Sequence, residues 1–450
     1  MNFIILIAII FPAMPRIISI CLFSILFSLT VGSQNLYFPP ASGEAWDTMA
    51  PLSLGWCEPQ IDSLYDFLET NNTHAFILLK DGKIVLEKYF GNFQPNDSWY
   101  WASAGKGITS FMVGVAQQEG YLSLADPTSE YLGLGWTSLT PEQEEQITIW
   151  HQLTMTTGLD DGVEENHCTL DTCLVFLADP ATRWAYHNAP YTLLDQVIFN
   201  ATGTSLNQYT NQKLKVFTGM TGLFLPVGYN NVYFSNARSM ARFGLLMLNG
   251  GVWDGISLMT DTAYFQQMTN TSQSLNEAYG YLWWLNGKST YMIPQLQFVF
   301  NGSFSPNAPD DMYAALGMNG QIINVVPSEN MVWIRMGDSP DGSLIPYMIN
   351  DQIWEYINIL ACDPTSVDWI PGAGLSIEVY PNPAREIITL VAEKPLNRIS
   401  LFNALGQEVS TIRTDNLQQE IPLSALMKGV YLVVVSFADG TRATQKILRE

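Results

Sequence analysis

One pair of side chains in the sequence has the types and spacing for nucleophilic catalysis, Ser103 and Lys106. A serine hydroxyl is a weak nucleophile until a neighbouring base takes its proton. A lysine can be that base when desolvation or a nearby charge lowers its pKa. Residues three apart in a helix lie one turn from each other on the same face. The spacing therefore predicts a hydroxyl beside an amine.

The surrounding residues favour this interpretation over an ordinary helix start. The S-x-x-K pattern occurs once in the chain, directly after an aromatic-rich stretch of sequence. A run of apolar residues at helical spacing follows it, formed by Ile108, Phe111, Met112 and Val115. Ser103 then lies near a helix N-terminus, where free N–H groups favour a developing alkoxide. The alternative is a serine N-cap followed by a solvated lysine.

Composition indicates an acidic globular protein. The 450 residues carry a formal net charge of -22 and are 47% hydrophobic. Residues 374–450 hold eight Lys+Arg and eight Asp+Glu, so the acidity lies in the part before them. Such a surface makes nucleic acid an unfavourable partner. The length allows two or three domains.

Residues 1–33 have the pattern of a cleaved signal peptide. An apolar h-region at 17–31 follows Arg16, and Val31-Gly32-Ser33 supplies the small residues of a cleavage site. The alternative is a retained membrane anchor, but Pro12, Pro15 and Arg16 interrupt a continuous span. We expect export and no permanent membrane span.

Four cysteines remain after Cys21 is removed with the signal peptide. Export places them where disulfides form, and four cysteines allow three pairings. We favour Cys168–Cys173, which are close in sequence, and Cys57–Cys362, which would join the ends of the central domain. Four buried thiols are the alternative. No ligand pair has zinc-finger spacing, so we expect no metal and no cofactor.

The apolar pattern predicts an α+β domain over residues 34–362. A helix at 61–68 precedes two apolar runs joined by the hairpin turn Asp81-Gly82. Residues 105–245 are mostly helical in pattern. Three strands follow at 313–316, 321–326 and 331–336, and a helix at 351–360 closes the domain. Strands at both ends predict one sheet, flanked by helices and interrupted by a helical subdomain.

This order of elements, with its S-x-x-K helix, resembles the serine β-lactamase and penicillin-recognising superfamily. The chain is most similar to the branch of esterases and 6-aminohexanoate-oligomer hydrolases, over residues 50–360. The resemblance rests on short strings at 103–110, 153–159, 186–194, 239–246 and 279–284. It implies a β-lactamase/transpeptidase-like fold, with Ser103 as nucleophile and Lys106 as its base.

The superfamily's second motif, Y-x-N, matches Tyr186 and Asn188. The pattern occurs five times, and Tyr186 is chosen because it lies about 80 residues past the serine. The resemblance implies that either Tyr186 or Lys106 relays the proton, provided a cationic Lys106 lowers the tyrosine pKa. Asn188 would bind substrate or hold Lys106. A core tyrosine with a tethered hydroxyl is the alternative.

The third motif matches Gly317-Met318-Asn319-Gly320-Gln321. Met318 stands where the superfamily has lysine or histidine, so the usual partner for a substrate carboxylate is missing. Gly320 would let the substrate approach, Asn319 would lie beside it, and the N–H groups of Gln321 and Ser103 would form the oxyanion hole. This difference makes β-lactamase and cell-wall peptidase activity doubtful and favours uncharged substrates.

Two further side chains are candidates for the pocket wall, Trp184 and His187. Each has a structural alternative, because tryptophan and histidine are common in cores. No G-x-S-x-G and no H-E-x-x-H pattern occurs in the sequence. The lipase-type and zinc-protease-type active sites therefore lack support.

Residues 363–373 are typical of a linker, and residues 374–450 predict a small antiparallel β-sandwich. Strands are expected at 377–380, 387–391, 399–402, 430–437 and 441–448. Through the strings at 380–384, 401–407 and 426–433 this part resembles the C-terminal sorting domain of type IX secretion. The resemblance implies the secretion machinery as a partner. A carbohydrate-binding or adhesive sandwich is the alternative.

Together these patterns predict an exported serine hydrolase that forms an acyl-enzyme on Ser103. Its partner would be a small ester or amide, and ester and amide substrates fit equally well. The alternative is a non-catalytic, penicillin-binding-like surface protein that has kept the pocket.

Overall fold

Two units make up the chain, residues 1–361 and 362–450, and each has its own apolar core. The structure, a computed structural model, describes residues 36–338, 344–362, 377–403, 408–437 and 442–450. The predicted signal peptide at 1–33 and the predicted linker at 363–373 lie outside the described residues.

Helices supply most of the middle of the first unit. The α-helices are α1 (Glu58–Thr70), α2 (Lys106–Gln118), α3 (Thr128–Leu132), α4 (Pro141–Glu144), α5 (Ile149–Leu153), α6 (Asn188–Thr192), α7 (Leu194–Thr202), α8 (Leu206–Thr210), α9 (Val216–Thr218), α10 (Ala237–Leu248), α11 (Thr262–Met268) and α12 (Tyr347–Asn358). Short 3-10 helices lie at Pro51–Leu54, Ala102–Gly105, Asp171–Cys173 and Pro327–Glu329, and a π-helix at Asn211–Lys215. The closing helix α12 begins four residues before its predicted start, directly after Pro346.

The strands of the first unit form one large sheet and three small ones. They are β1 (Thr73–Lys80), β2 (Lys83–Tyr89), β3 (Trp99–Tyr100), β4 (Leu223–Val227), β5 (Asn230–Ser235), β6 (Val252–Trp253), β7 (Ile256–Ser257), β8 (Trp284–Leu285), β9 (Thr290–Tyr291), β10 (Phe300–Asn301), β11 (Tyr313–Gly317), β12 (Gln321–Val326) and β13 (Met331–Gly337). The large sheet has the order β2-β1-β13-β12-β11-β8, and all its pairs are antiparallel.

Both ends of the first unit build the large sheet, as predicted. Asp81 and Gly82 turn β1 into β2 with φ angles of 52° and 80°, the left-handed region that a tight hairpin turn requires. Non-local pairing then places β1 beside β13, with Ile77 opposite Ile334. All seven residues of β13 are buried, because α10 covers this part of the sheet. The predicted α+β architecture is confirmed.

Helix α2 runs through the apolar core of this unit. Its residues from Lys106 to Ala116 are buried on every side, so the predicted inward face at Ile108 and Phe111 is correct but incomplete. Gly107 and Gly114 allow this burial. A Cβ atom on either would come within 3 Å of an aromatic ring, that of Trp283 or of Tyr264. Large side chains therefore pack directly on the helix backbone.

The hairpin of β4 and β5 was not predicted, because this region has a mainly helical pattern. The two strands form a small sheet with β3, in which Trp99 pairs with Ser235. β3 is only two residues long and lies more than a hundred residues away in sequence. Local periodicity carries no signal for such a pairing. The hairpin matters because it supports the approach to Ser103.

The second unit is an all-β sandwich, as predicted. Its strands are β14 (Ile377–Tyr380), β15 (Ile387–Ala392), β16 (Leu396–Asn403), β17 (Glu408–Arg413), β18 (Gln418–Pro422), β19 (Gly429–Phe437) and β20 (Arg442–Arg449). They form two antiparallel sheets, β14-β15-β18 and β17-β16-β19-β20, around one core. The sequence pattern missed β17 and β18, whose residues are mostly polar and exposed.

Cys168 and Cys173 form a disulfide with a Cα–Cα distance of 5.8 Å, as predicted. Cys57 and Cys362 are both disulfide-bonded as well, so the alternative of four buried thiols is wrong. Trp56 and Ala361 form an antiparallel bridge beside them, which brings the start and the end of the first unit together.

Candidate active site

Ser103 and Lys106 meet at the start of the buried helix α2. Ser103 lies in the 3-10 turn Ala102–Gly105, and Lys106 is the first residue of the helix that continues this turn. The Nζ atom of Lys106 lies 2.8 Å from the Oγ atom of Ser103. The two predicted side chains are therefore within hydrogen-bond distance of each other.

Burial sets the charge state of this lysine. Lys106 is 4% exposed, and desolvation lowers the pKa of its amine to about 7. Its amine lies over two aromatic rings, 5.2 Å from the centroid of Tyr186 and 4.4 Å from that of Tyr191. A neutral amine can accept a proton near pH 7. The ring faces can then stabilise the resulting cation by about 0.5–2 kcal/mol.

The backbone before the serine is strained. Ala102 has a φ of 45°, in the left-handed region that residues other than glycine and asparagine rarely adopt. Such a conformation costs about 1–3 kcal/mol and persists only where the surroundings enforce it. Here β3 on one side and helix α2 on the other hold the turn. The strained residue presents Ser103 to the cavity that Ala102 itself lines.

Tyr186 is the third group at the nucleophile. It is buried just before helix α6, and its phenol interacts with the Ser103 side chain. Burial raises the pKa of Tyr186, and this interaction only partly opposes the shift. The expected lowering of this pKa by a cationic Lys106 is therefore wrong, because the same burial that keeps Lys106 neutral also keeps the phenol protonated. Tyr186 is a proton donor in this state.

Asn188 begins helix α6 and lines the same cavity. Pro190 lies in the first turn of that helix, where backbone N–H groups have no partner within the helix, so the N–H that proline lacks is not needed. The helix therefore places the Asn188 side chain two residues after Tyr186, on the cavity wall. Its backbone carbonyl accepts a hydrogen bond from the Thr192 hydroxyl at 3.0 Å.

Gly317 is a glycine whose backbone approaches the nucleophile closely. A Cβ atom on Gly317 would lie 2.3 Å from the Trp101 carbonyl oxygen and 3.0 Å from the Ser103 nitrogen. The end of β11 therefore contacts the serine backbone directly. Gly320 lies in the turn behind it, where its carbonyl accepts a hydrogen bond from Arg335 Nη1 at 2.7 Å.

Met318 lines the cavity, and Gln321, which we expected at the oxyanion hole, does not. Met318 follows Gly317, is 44% exposed and lines the cavity. Gln321 is fully buried and is not among the lining residues. Its side-chain amide instead donates to the Gly337 carbonyl at 2.6 Å, and its side-chain oxygen accepts from the Gly337 N–H at 3.2 Å. Gln321 therefore holds two strands together, and Met318 is the residue of this turn at the cavity.

Asn319 supports the same turn through Tyr100. Its side-chain amide donates to the Tyr100 hydroxyl at 2.7 Å, and that hydroxyl donates to Asp338 at 3.3 Å. Asn319 has a φ of 63°, which asparagine tolerates better than most residues. Tyr100 lines the cavity and Asn319 does not. Asn319 thus acts on the shape of the turn and does not line the cavity.

Trp184 and His187 do not line the cavity. Trp184 packs in the core against Tyr279 and Trp284. His187 is 2% exposed, and neither ring nitrogen has a hydrogen-bond partner. For His187 the extended chain around Tyr186 explains this: successive side chains point to opposite sides, so a tyrosine in the cavity sends its immediate neighbour into the core.

The cavity has a volume of about 400 Å³ and opens beside Ser103. Sequence reasoning missed several of the polar side chains that line it: Tyr100, Asn166, His167, Tyr191, Asn230, Asn231 and Gln295. Only Tyr191 had a local signal, since it lies three residues after Asn188 on the same helix. The others lie on the two-residue strand β3, on the unpredicted hairpin and in loops, where no periodicity marks a functional residue.

The described part of the chain contains no cluster of three or more His, Cys, Asp or Glu side chains that could hold a metal ion. In the same residues, no helix has both the length and the apolar character needed to cross a bilayer.

Comparison with known proteins gives two family matches. The Beta-lactamase family matches residues 72–343, and the Secretion system C-terminal sorting domain matches residues 378–450. The 6-aminohexanoate-dimer hydrolase of Paenarthrobacter ureafaciens is 22% identical over 313 residues, which cover 63% of this chain and 76% of that protein.

Two solved structures have the same fold. EstA from Arthrobacter nitroguajacolicus aligns with a TM-score of 0.52 at 15% identity, over 71% of this chain and 99% of its own. A penicillin-binding protein homologue from Caulobacter crescentus aligns with a TM-score of 0.52 at 13% identity, over 68% and 99%. At these identities the likeness concerns the fold alone.

The environment of His187 generates a prediction about acid stability. Burial lowers the pKa of His187 to about 4, whereas a histidine in an unfolded chain titrates near 6.5. Between these values the unfolded chain binds a proton that the folded chain does not, so stability is lost as pH falls from about 6.5 to about 4. The free energy of unfolding therefore decreases between pH 7 and pH 4.5. We expect this decrease to be about 2 kcal/mol smaller in His187→Phe than in the native protein.

Thermal unfolding of both proteins at pH 7 and pH 4.5 measures this difference. His151 contributes a loss in the same pH range, since burial also lowers its pKa to about 4, and it is unchanged in the variant. His187→Gln is the control. It cannot titrate, so it should lose the same pH dependence without the gain from replacing two unpartnered nitrogens. An unchanged pH dependence in His187→Phe would contradict the assignment.

Proposed function

Because the chain belongs to the Beta-lactamase family, we propose that it is an exported serine hydrolase that cleaves an ester or an amide through an acyl-enzyme on Ser103. One observation carries this proposal: the Ser103 hydroxyl lies 2.8 Å from a buried amine whose pKa is about 7. A lysine that serves only as a surface charge has no need of such an environment.

In the first step, neutral Lys106 accepts the hydroxyl proton as Ser103 Oγ attacks the substrate carbonyl carbon. The carbonyl oxygen gains negative charge and needs two donors. We assign these to the backbone N–H groups of Ser103 and Met318, because Gly317 brings β11 against the serine backbone and Met318 follows it at the cavity. The aromatic faces of Tyr186 and Tyr191 stabilise the Lys106 cation that forms.

In the second step, the tetrahedral intermediate collapses and the leaving group takes a proton. Tyr186 supplies it, since burial keeps the phenol protonated and its side chain interacts with that of Ser103. The Lys106 cation then returns a proton to Tyr186. Water next attacks the acyl carbon, and the same groups work in reverse, which releases the acid and restores the Ser103 hydroxyl.

The cavity favours uncharged acyl donors. The described residues that line it include no Asp, Glu or Arg, and Lys106 is committed to the chemistry. His167, the other basic side chain among these lining residues, hydrogen-bonds with the Asn230 side chain. No lysine or arginine other than Lys106 is therefore placed for a substrate carboxylate. Polar contacts come from carboxamides such as Asn188 and Asn230, which bind neutral amide or ester groups by donating and accepting hydrogen bonds.

Export is the second part of the proposal. Residues 378–450 are a secretion sorting domain with its own core, separate from the unit that holds the cavity. We propose that type IX secretion machinery recognises this domain and that the enzyme acts outside the cell or on its surface. Residues 1–33 would direct the first passage into the periplasm.

The serine and lysine assignments predict loss of activity and a pH profile. Ser103→Ala should abolish both ester turnover and labelling by a fluorophosphonate. In the native enzyme, kcat/KM should rise with pH through about 7 and then level off, because only neutral Lys106 can accept the proton.

Lys106→Arg should lower kcat by at least about 1,000-fold, since a guanidinium stays protonated. Lys213→Arg, on the surface beside Glu119, is the matched control and should behave as native. Full activity in Ser103→Ala would disprove the assignment.

The residue at position 318 predicts substrate charge preference. Met318→Lys would place an ammonium group on the cavity wall, where the side chain is already partly exposed. We expect preference to shift toward carboxylate-bearing substrates by ~1–3 kcal/mol. Kinetics with a neutral ester and a penicillin measure the shift, with Met318→Leu as the uncharged control. Efficient penicillin hydrolysis by the native enzyme would contradict this prediction.

The separate cores predict that the sorting domain is dispensable for catalysis. A chain ending at residue 373 should keep native kcat/KM, because the residues proposed for the chemistry all lie before 319. In the native host the same chain should accumulate inside the outer membrane. Mass spectrometry of the extracellular enzyme should find residues 374–450 removed. An active extracellular enzyme with an intact C-terminus would favour an adhesive role for this domain.

A further inference from the structure

Large, solvent-exposed apolar side chains line the cavity or closely follow its lining residues in sequence. Val227, Met318 and Leu344 line the cavity and are also 44–50% exposed. Leu296, Phe298 and Val299 are 46–60% exposed and follow two lining residues, Pro294 and Gln295. We call these six side chains the apolar rim. Single exposed apolar residues are ordinary, but a group around one opening marks a binding surface.

Backbone geometry and one hydrogen bond fix the 294–299 segment with its apolar side chains exposed to solvent. Gln295 has a φ of 66°, a left-handed backbone that is uncommon for glutamine and turns the chain at the cavity. Two residues later, the Gln297 amide donates to the Trp184 carbonyl at 3.0 Å. This bond ties the segment to the chain that carries Tyr186. The Gln297 side chain thus fixes the loop, while the side chains of Leu296, Phe298 and Val299 remain exposed to solvent.

Aromatic packing fixes the outer part of this segment. The Phe298 ring contacts Phe300 edge to face at 4.8 Å between centroids, and Phe300 stacks on Tyr291 at 5.2 Å. Such pairs stabilise a local arrangement by about 0.5–1.5 kcal/mol each. Phe298 is therefore held in place by its aromatic neighbours even though more than half of it is exposed.

Charge separates this region from the rest of the protein. The formal net charge is -22, yet the described cavity-lining residues include no carboxylate. A partner with positive charge would gain little here, and a carboxylate would find no arginine and no lysine other than Lys106 among these residues. The ligand that matches an apolar, uncharged surface continuous with a catalytic cavity is the hydrocarbon part of the substrate itself.

We propose that the apolar rim binds the alkyl chain of a long-chain, uncharged acyl ester whose carbonyl carbon lies at Ser103. This inference rests on the proposed function and adds the class of acyl group. A cavity of about 400 Å³ is at the small end of ligand sites. A long chain therefore leaves the cavity and lies across the rim, where its methylene groups are removed from water.

Chain-length kinetics on the full-length enzyme test the proposal. We expect the kcat/KM of a dodecanoyl 4-nitrophenyl ester to exceed that of the butanoyl ester by at least about 50-fold, since each fully buried methylene is worth roughly fourfold. Phe298→Ser combined with Val299→Ser should reduce this ratio by at least about tenfold. Leu52→Ser is the matched control, a 76% exposed leucine outside the cavity lining, and should keep the native ratio.

The ratio is insensitive to the amount of active enzyme, so partial misfolding cannot imitate the effect. Phe298→Leu should restore most of the ratio, because leucine supplies a similar apolar contact. A native ratio near one, or equal losses in the rim variant and Leu52→Ser, would overturn the proposal. Light scattering gives a further test. If the native enzyme is a dimer and the rim variant is a monomer, the rim binds a second copy of the chain and the proposal is overturned.

A binding measurement separates this inference from the proposed function. In Ser103→Ala, calorimetric titration compares methyl dodecanoate with methyl butanoate, each below its aggregation concentration. Tighter binding of the dodecanoate, by at least about 50-fold, supports the rim even if the native enzyme turns over no ester. Equal affinities overturn the inference even if short esters are hydrolysed.

Discussion

The desolvation of one lysine is the constraint on which the rest of the site depends. An amine in water would be charged at neutral pH and unable to take a proton from serine. Moving its pKa to about 7 requires on the order of 5 kcal/mol of unfavourable burial. The fold supplies this by starting a fully buried helix at Lys106 and by placing aromatic rings, not carboxylates, around the amine.

The same burial explains the division of labour between Lys106 and Tyr186. Removing water disfavours the charged form of both groups, so the pKa of the amine falls and that of the phenol rises. One desolvated environment therefore yields a neutral base and a neutral acid on either side of a single hydroxyl. No metal ion and no third charged residue is needed to account for these two states.

Backbone contacts position the chemistry as closely as side chains do. Ala102 is held in a left-handed conformation before the nucleophile, and Gly317 has no room for a Cβ atom against it. Behind Gly317, Arg335 and Tyr100 hold the turn, through the Gly320 carbonyl and the Asn319 side chain. The polar residues of this turn thus serve its shape, while an apolar residue, Met318, reaches the cavity and joins an uncharged rim.

Several features of this protein depend on local sequence pattern alone. The Ser103–Lys106 spacing, the Asp81-Gly82 hairpin, the three late strands and the separate β-sandwich all follow from periodicity and turn chemistry within a few residues. The Cys168–Cys173 pairing follows from closeness in sequence. These features need no knowledge of distant neighbours, and the structure contains each of them.

Packing between distant parts of the chain sets which residues share the cavity. The direction of a side chain in an extended segment alternates, so Tyr186 faces the serine while His187 enters the core. Gly317 meets the Ser103 backbone because the end of β11 packs against the 3-10 turn that carries the serine. The β4–β5 hairpin and the 294–299 segment come from distant parts of the chain. Their closeness to Ser103 is a result of packing, and no local sequence pattern encodes it.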